Sequence, residues 1–227
     1  MTDTDGLTHQ EREDRAKAYY LELDAGKDVL ASLELCHLSL AHLGEDPLLW
    51  KGVIIGFHSA LQGAMAAHLT GTHGTGALMK KDAEHLSAAL HAPRQPPGPP
   101  PPISYPERTQ LADPETLWER MRQEDLRVAD TSAGRTIVPT EYQTCAFRKL
   151  KARRNELTHF SASGWSMGIA DMPKILTELC GILRQIYEGG WAFGLMENPQ
   201  RERLKHLIEA IPKQLQVYGP WKPRERL

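Results

Sequence analysis

The chain has 227 residues, 41% hydrophobic and 25% charged, with a formal net charge of -2. That length supports one sizeable core. The charge excludes a global basic field, so any nucleic-acid surface must be a local patch. Three cysteines, Cys36, Cys145 and Cys180, are far apart and odd in number. They exclude a CxxC-based structural zinc site and fit a reducing, cytoplasmic setting.

The polar, acidic start "MTDTDGLTHQEREDRAK" does not read as a signal peptide. Periodicity predicts a first helix over about Thr8 to Leu43. Tyr19, Tyr20, Leu23, Leu30, Leu33, His37 and Leu40 form its apolar stripe, and "AGK" at 25–27 is a point of bending or breakage. "GEDP" is a turn in which Asp46 caps a second helix and Pro47 takes its first position. This helix, through about Leu69, is apolar nearly all round and is expected at the centre of a bundle. It carries Lys51, His58, Gln62 and His68, so it reads as a buried helix and not a membrane span. Gly56, Ala60, Gly63 and Ala64 leave room for a close helix neighbour.

"LMKKDAEHLSAAL" predicts a short extra helix. "HAPRQPPGPPPPISYP", with its Pro-rich loop at 92–106, predicts an extended connector. "DPETLWERMRQEDLRVAD" follows as a helix capped by Asp113, with Leu117, Met121 and Trp118 inward. The next helix spans about Pro139 to Phe160. Another, near "ADMPKILTELCGILRQIYEGG", buries Ile175, Leu179, Ile182, Leu183 and Ile186 and ends at Gly189-Gly190. Asn198 is expected to cap the last helix, with Leu204, Leu207, Ile208 and Ile211 inward and a loose tail behind it. The expected fold is an all-α, antiparallel helical bundle of about five main helices with a Pro-rich insertion. It forms a single helical domain over 1–227.

Most motif-like features are unspecific. "GTHGTG" at 71–76 matches neither phosphate-loop pattern and has no strand before it. Histidines five apart, as His37 and His42 are, do not stack on one helix face. No metal site and no cofactor is therefore expected. A bare R-x4-H also means little. The chain has a second one, "RERLKH" with Arg201 and His206, which reads as a solvated helix face.

"RRNELTHF" at 153–160 is more specific. Asn155 follows Arg154 directly, and helix geometry puts Asn155 and His159 on one face, with Arg154 about 100° aside. Arg154 shares the stripe of Leu150 and Leu157, which predicts partial burial. His159 falls in the last helical turn, where the C-terminus favours a cation, and an imidazole there suits proton transfer near neutral pH. Upstream lies "RKLKARR", with Arg148, Lys149, Lys151, Arg153 and Arg154, five cations in seven positions. Such a run holds phosphates when its charges are free, though most charge runs are solvated faces.

The segment "LKARRNELTHF" resembles the RNxxxH signature of the HEPN superfamily, and "GWSMGIADMPKI" resembles the pattern that follows it in bacterial members. The upstream "FHSALQGAMAAHL" and "LWERM" are similar to further segments. The resemblance covers roughly residues 45–188, within a HEPN-like core of about 8–190, and excludes the C-terminal helix and tail, 198–227. It implies a helical homodimer that cleaves RNA without metal, of the toxin or phage-defence type, restrained by an antitoxin protein. Arg154 would then hold the scissile phosphate, Asn155 would orient His159 or the ribose, and His159 would act as general acid or base. Arg148, Lys149, Lys151 and Arg153 would bind RNA. Glu34, His58 and Gln62 are candidates for a further polar residue. A non-catalytic module that binds nucleotide, RNA or a protein partner is the alternative.

Overall fold

A computed structural model of the chain describes residues 23–70, 75–90, 109–123, 136–159, 164–189 and 191–218. Seven α-helices lie among them: α1 Ala25–Ala41, α2 Trp50–Thr70, α3 Lys80–Leu90, α4 Pro114–Met121, α5 Glu141–Thr158, α6 Met172–Glu188 and α7 Asn198–Val217. The only β pairing among them is an isolated bridge between Leu78 and Leu111. The fold is thus an all-α helical bundle, and none of the described helices is long and apolar enough to cross a membrane. The Pro-rich loop at 92–106 lies outside the described residues.

The first helix is shorter than its periodicity predicts. Residues 8–22 lie outside the described segments, and residues 23 and 24 are not helical. Asp24 instead caps α1, its carboxylate accepting from the Lys27 amide at 2.8 Å. Its buried stripe is Val29, Leu33, Cys36 and Leu40. Leu30 and His37 are only half-buried, and Leu23 is exposed. A neighbouring helix sets this rotation. A Cβ on Gly56 of α2 would stand 2.8 Å from the Ser32 carbonyl oxygen, and one on Gly63 would stand 2.8 Å from Val29 Cγ2. Two helices meet here almost backbone to backbone, in antiparallel sense.

The Asp46-Pro47 start is present, but it opens as a 3-10 turn, Pro47–Leu49, before α2 proper. Asp46 accepts from the Leu48 amide at 2.8 Å. α2 is buried from Trp50 to His68 on nearly every face and packs against α1, α4, α5 and α6. Asp113 caps α4 through the Glu115 and Thr116 amides, and Leu117, Trp118 and Met121 are buried. α4 stops at Met121, short of the length its sequence suggests. Arg120 holds the chain leading into α3 by donating to the Gly76 and Leu78 carbonyls at 2.8 and 2.6 Å.

α5 opens with a capping box between Thr140 and Gln143. Gln143 also donates to the Glu178 carbonyl at 3.2 Å, and Lys149, further along α5, pairs with Asp171 at the start of α6, so α6 runs back along α5 in antiparallel sense. All five predicted inward residues of α6 are buried. At α7 the cap is Glu197, without a side-chain bond, and Asn198 is the first helical residue. Leu204, Leu207, Ile208 and Ile211 point inward as expected, and the helix continues through Pro212 to Val217. α7 is tied to α1 by Arg203–Glu34 at 3.1 Å and His37–Gln214 at 2.8 Å.

The glycine contact gives a direct test. Gly56→Ala should destabilise the protein by about 1–3 kcal/mol through overpacking, outweighing the roughly 1 kcal/mol that alanine gains in helix propensity. Gly44→Ala, with open space around it, should change little. Urea midpoints of the two variants check this, and equal midpoints would refute the close approach.

Candidate functional site

Phe147 and Leu150, one turn apart along the inner side of α5, are buried, and Leu157 packs against the same core. Trp118 of α4 stacks on Phe147, with ring centroids 4.4 Å apart and planes 6° from parallel. This anchor fixes the rotation of α5 and thereby decides which of its cations face the protein and which face water.

Arg154 is half-buried, as its place on the stripe predicts. Its Nη1 donates to Asn155 Oδ1 at 3.1 Å, so the two adjacent residues form one polar unit. His159 departs from expectation. It is not in the last helical turn but is the C-cap, with φ -96° and ψ 115°. Its amide still donates to the Asn155 carbonyl at 3.0 Å, while its side chain is exposed. Stacking at i and i+4 therefore does not set the direction of the imidazole. The chain leaves the helix at that residue, four positions after Asn155, and the ring is exposed to water. Thr158 stabilises this end by donating to the Arg154 and Asn155 carbonyls.

The basic run is largely paired with acids. Lys149 meets Asp171 at 3.2 Å, Lys151 meets Glu115 at 2.9 Å, and Arg153 meets Glu156 at 3.2 Å. Two of these acids come from other elements, which no local reading of α5 reveals. Each pair is at least partly exposed, so each contributes roughly 0–1 kcal/mol and is easily exchanged for another anion. Arg148 is exposed and has no partner among the described residues.

Of the three candidates for an additional polar residue, the structure brings one to the motif. Glu34 is spent on Arg203 at the α1–α7 seam. Gln62 is half-buried on α2. His58 is 3% exposed, its Nε2 has no hydrogen-bond partner, and Arg154 and Lys151 act on it directly. Burial first, then the Arg154 and Lys151 charges, push its pKa down to about 4. His58 is therefore a buried, neutral imidazole within electrostatic reach of Arg154.

Two other described histidines have ordinary partners. His37 bonds Gln214, and His42 lies 3.4 Å from Glu45. No group of three potential metal ligands occurs among the described residues. In the second R-x4-H, His206 is exposed, but the Nε of Arg201 is buried without a partner, so that face is less solvated than its sequence suggests. The chain matches no family model, no curated protein and no solved structure.

His58 links stability to pH. Unfolded, it titrates near 6.5; folded, near 4. As pH falls below 6.5 the unfolded chain takes up a proton that the folded protein refuses, so stability declines from there down to about pH 4. Between pH 7 and pH 5 this amounts to about 2 kcal/mol. His58→Leu should lose correspondingly less over that interval in urea unfolding. An identical loss in both proteins would contradict the placement of His58.

Proposed function

We propose that the C-terminal end of α5 is an RNA-cleaving site of the HEPN type, acting as a metal-independent endoribonuclease through Arg154, Asn155 and His159. One observation carries the reading: a half-buried arginine, held by its neighbouring asparagine, lies near the end of a helix whose C-cap is an exposed histidine. The resemblance of "RRNELTHF" to the family signature supports it independently of geometry.

The chemistry is an in-line displacement. The ribose 2′-oxygen bonds to the adjacent phosphorus as the P–O5′ bond breaks, leaving a 2′,3′-cyclic phosphate and a 5′-hydroxyl. One proton must leave the 2′-OH and one must reach the departing 5′-oxygen. His159 supplies one of these transfers. The other falls to a second His159 if two copies pair at this end, as the family resemblance implies. Arg154 offers a planar fork of donors to the phosphorane oxygens, where charge builds up. Asn155, already bonded to Arg154, keeps that fork from rotating. An antitoxin partner and a role in phage defence belong to the same proposal.

The alternative is a non-catalytic binding module of the same type. The pairing of Lys149, Lys151 and Arg153 with acids favours its protein-partner form, because a site whose cations are partly satisfied binds anions more weakly.

The test is cleavage of single-stranded RNA in EDTA by the parent, His159→Ala and Arg154→Lys proteins. The parent should leave cyclic-phosphate ends. His159→Ala should lose at least about a hundredfold in rate, and Arg154→Lys should retain binding but lose most of the rate, since an ammonium lacks the fork. Equal rates in parent and His159→Ala would remove the catalytic reading. RNA binding without cleavage by the parent would favour the module.

A further inference from the structure

Trp165 is the largest apolar side chain left open to water among the described residues, at 48% exposure. The segment that carries it is anchored. Met167 and Ile169 pack against the core, Asp171 binds Lys149 of α5 at 3.2 Å, and Gly168 lies beside the Arg153 guanidinium. These contacts set a direction: the segment runs along α5 in antiparallel sense, Asp171 near Lys149 and Gly168 near Arg153. Three residues span at most ~10 Å, which bounds how far Trp165 is from Gly168. Trp165 is also only six residues from His159 along the chain. The strap therefore carries Trp165 near the end of α5 that holds the Arg154-Asn155 unit.

We infer that Trp165 is a stacking platform for a base of single-stranded RNA, next to the phosphate held by Arg154. The inference rests on the RNA reading above and adds to it a residue that would hold a base. A half-exposed indole on an anchored strap offers a flat face that is already ordered, and a base can use it only if it is unstacked from its neighbours, which a duplex forbids. The arrangement combines a π-face with flanking cations, Arg153 at the strap and Arg148 further along the helix. That is the combination by which proteins hold single strands. Trp165 touches no reacting atom and is a binding residue.

The experiment uses a fluorescein-labelled, mixed-sequence 2′-O-methyl RNA 12-mer, which cannot be cut by 2′-OH attack. Its binding to the parent, Trp165→Ala, Trp165→Phe and Arg154→Ala proteins is read by anisotropy, and intrinsic tryptophan quenching is recorded in parallel. Trp165→Ala should weaken binding at least about fivefold, Trp165→Phe should stay within about twofold of the parent, and the RNA-induced quench should be lost in Trp165→Phe. The same sequence as a duplex should bind equally well to the parent and to Trp165→Ala. If Trp165→Ala binds the single strand like the parent while Arg154→Ala binds it more weakly, stacking is overturned and the RNA site stands. If the parent does not bind RNA, both fall. Because Trp165 lies on the surface, a full helical melting transition in each variant separates loss of the platform from loss of fold.

Discussion

The structure depends on the burial of α2. A helix enclosed on nearly every side must be met by several neighbours at once, and each contact fixes the rotation of a partner. Gly56 and Gly63 let α1 come close enough that backbone meets backbone, which turns Val29, Leu33 and Cys36 inward. On another side, α2 meets the Phe147–Leu150 face of α5. The packing of α5 thus leaves Arg148 and Lys149 outward, Arg154 at the boundary, and the helix end open to solvent. The proposed site is a by-product of where the core ends.

Two opposing electrostatic demands meet at that boundary. A guanidinium at the edge of the core is costly unless its donors are satisfied, and Asn155 satisfies one of them. His58, buried within electrostatic reach, would repel Arg154 if charged, and burial keeps it neutral at ordinary pH. Around them, the acids on Lys149, Lys151 and Arg153 reduce the mutual repulsion of five cations on one helix. These pairs are exposed enough for a polyanion to displace the acids. On the proposed reading, such a surface would stay neutralised until a phosphate backbone displaced the acids, which suits a chain whose net charge is slightly negative.

Much of this was legible in the residues. Asp46-Pro47 and Asp113-Pro114 announce helix starts by local chemistry that survives any tertiary context. The stripe of α6 is unambiguous because one face of it is wholly apolar. The partial burial of Arg154 follows from its spacing to Leu150 and Leu157. What was not legible depends on other elements. The stripe of α1 holds at Leu33 and Leu40, but the close approach of the α2 glycines turns Val29 and Cys36 inward and leaves Leu23 exposed. Asn198 has the chemistry of a cap, yet Glu197 occupies the position without a side-chain bond. Periodicity puts His159 in the last turn, but the helix ends one residue earlier, since nothing in "ELTHF" marks the stop that backbone geometry makes. The acids Glu115 and Asp171 and the closeness of His58 to Arg154 arise only when separate helices pack.

The central claim is that the end of α5 and the strap beside it form one RNA surface. Amide hydrogen exchange on the protein saturated with a non-cleavable 2′-O-methyl RNA tests it most directly. Slower exchange confined to residues 148–159 and 164–171, with α1, α6 and α7 unchanged, is the predicted result. Protection that leaves both of these segments untouched, or none at all under saturating RNA, would contradict it.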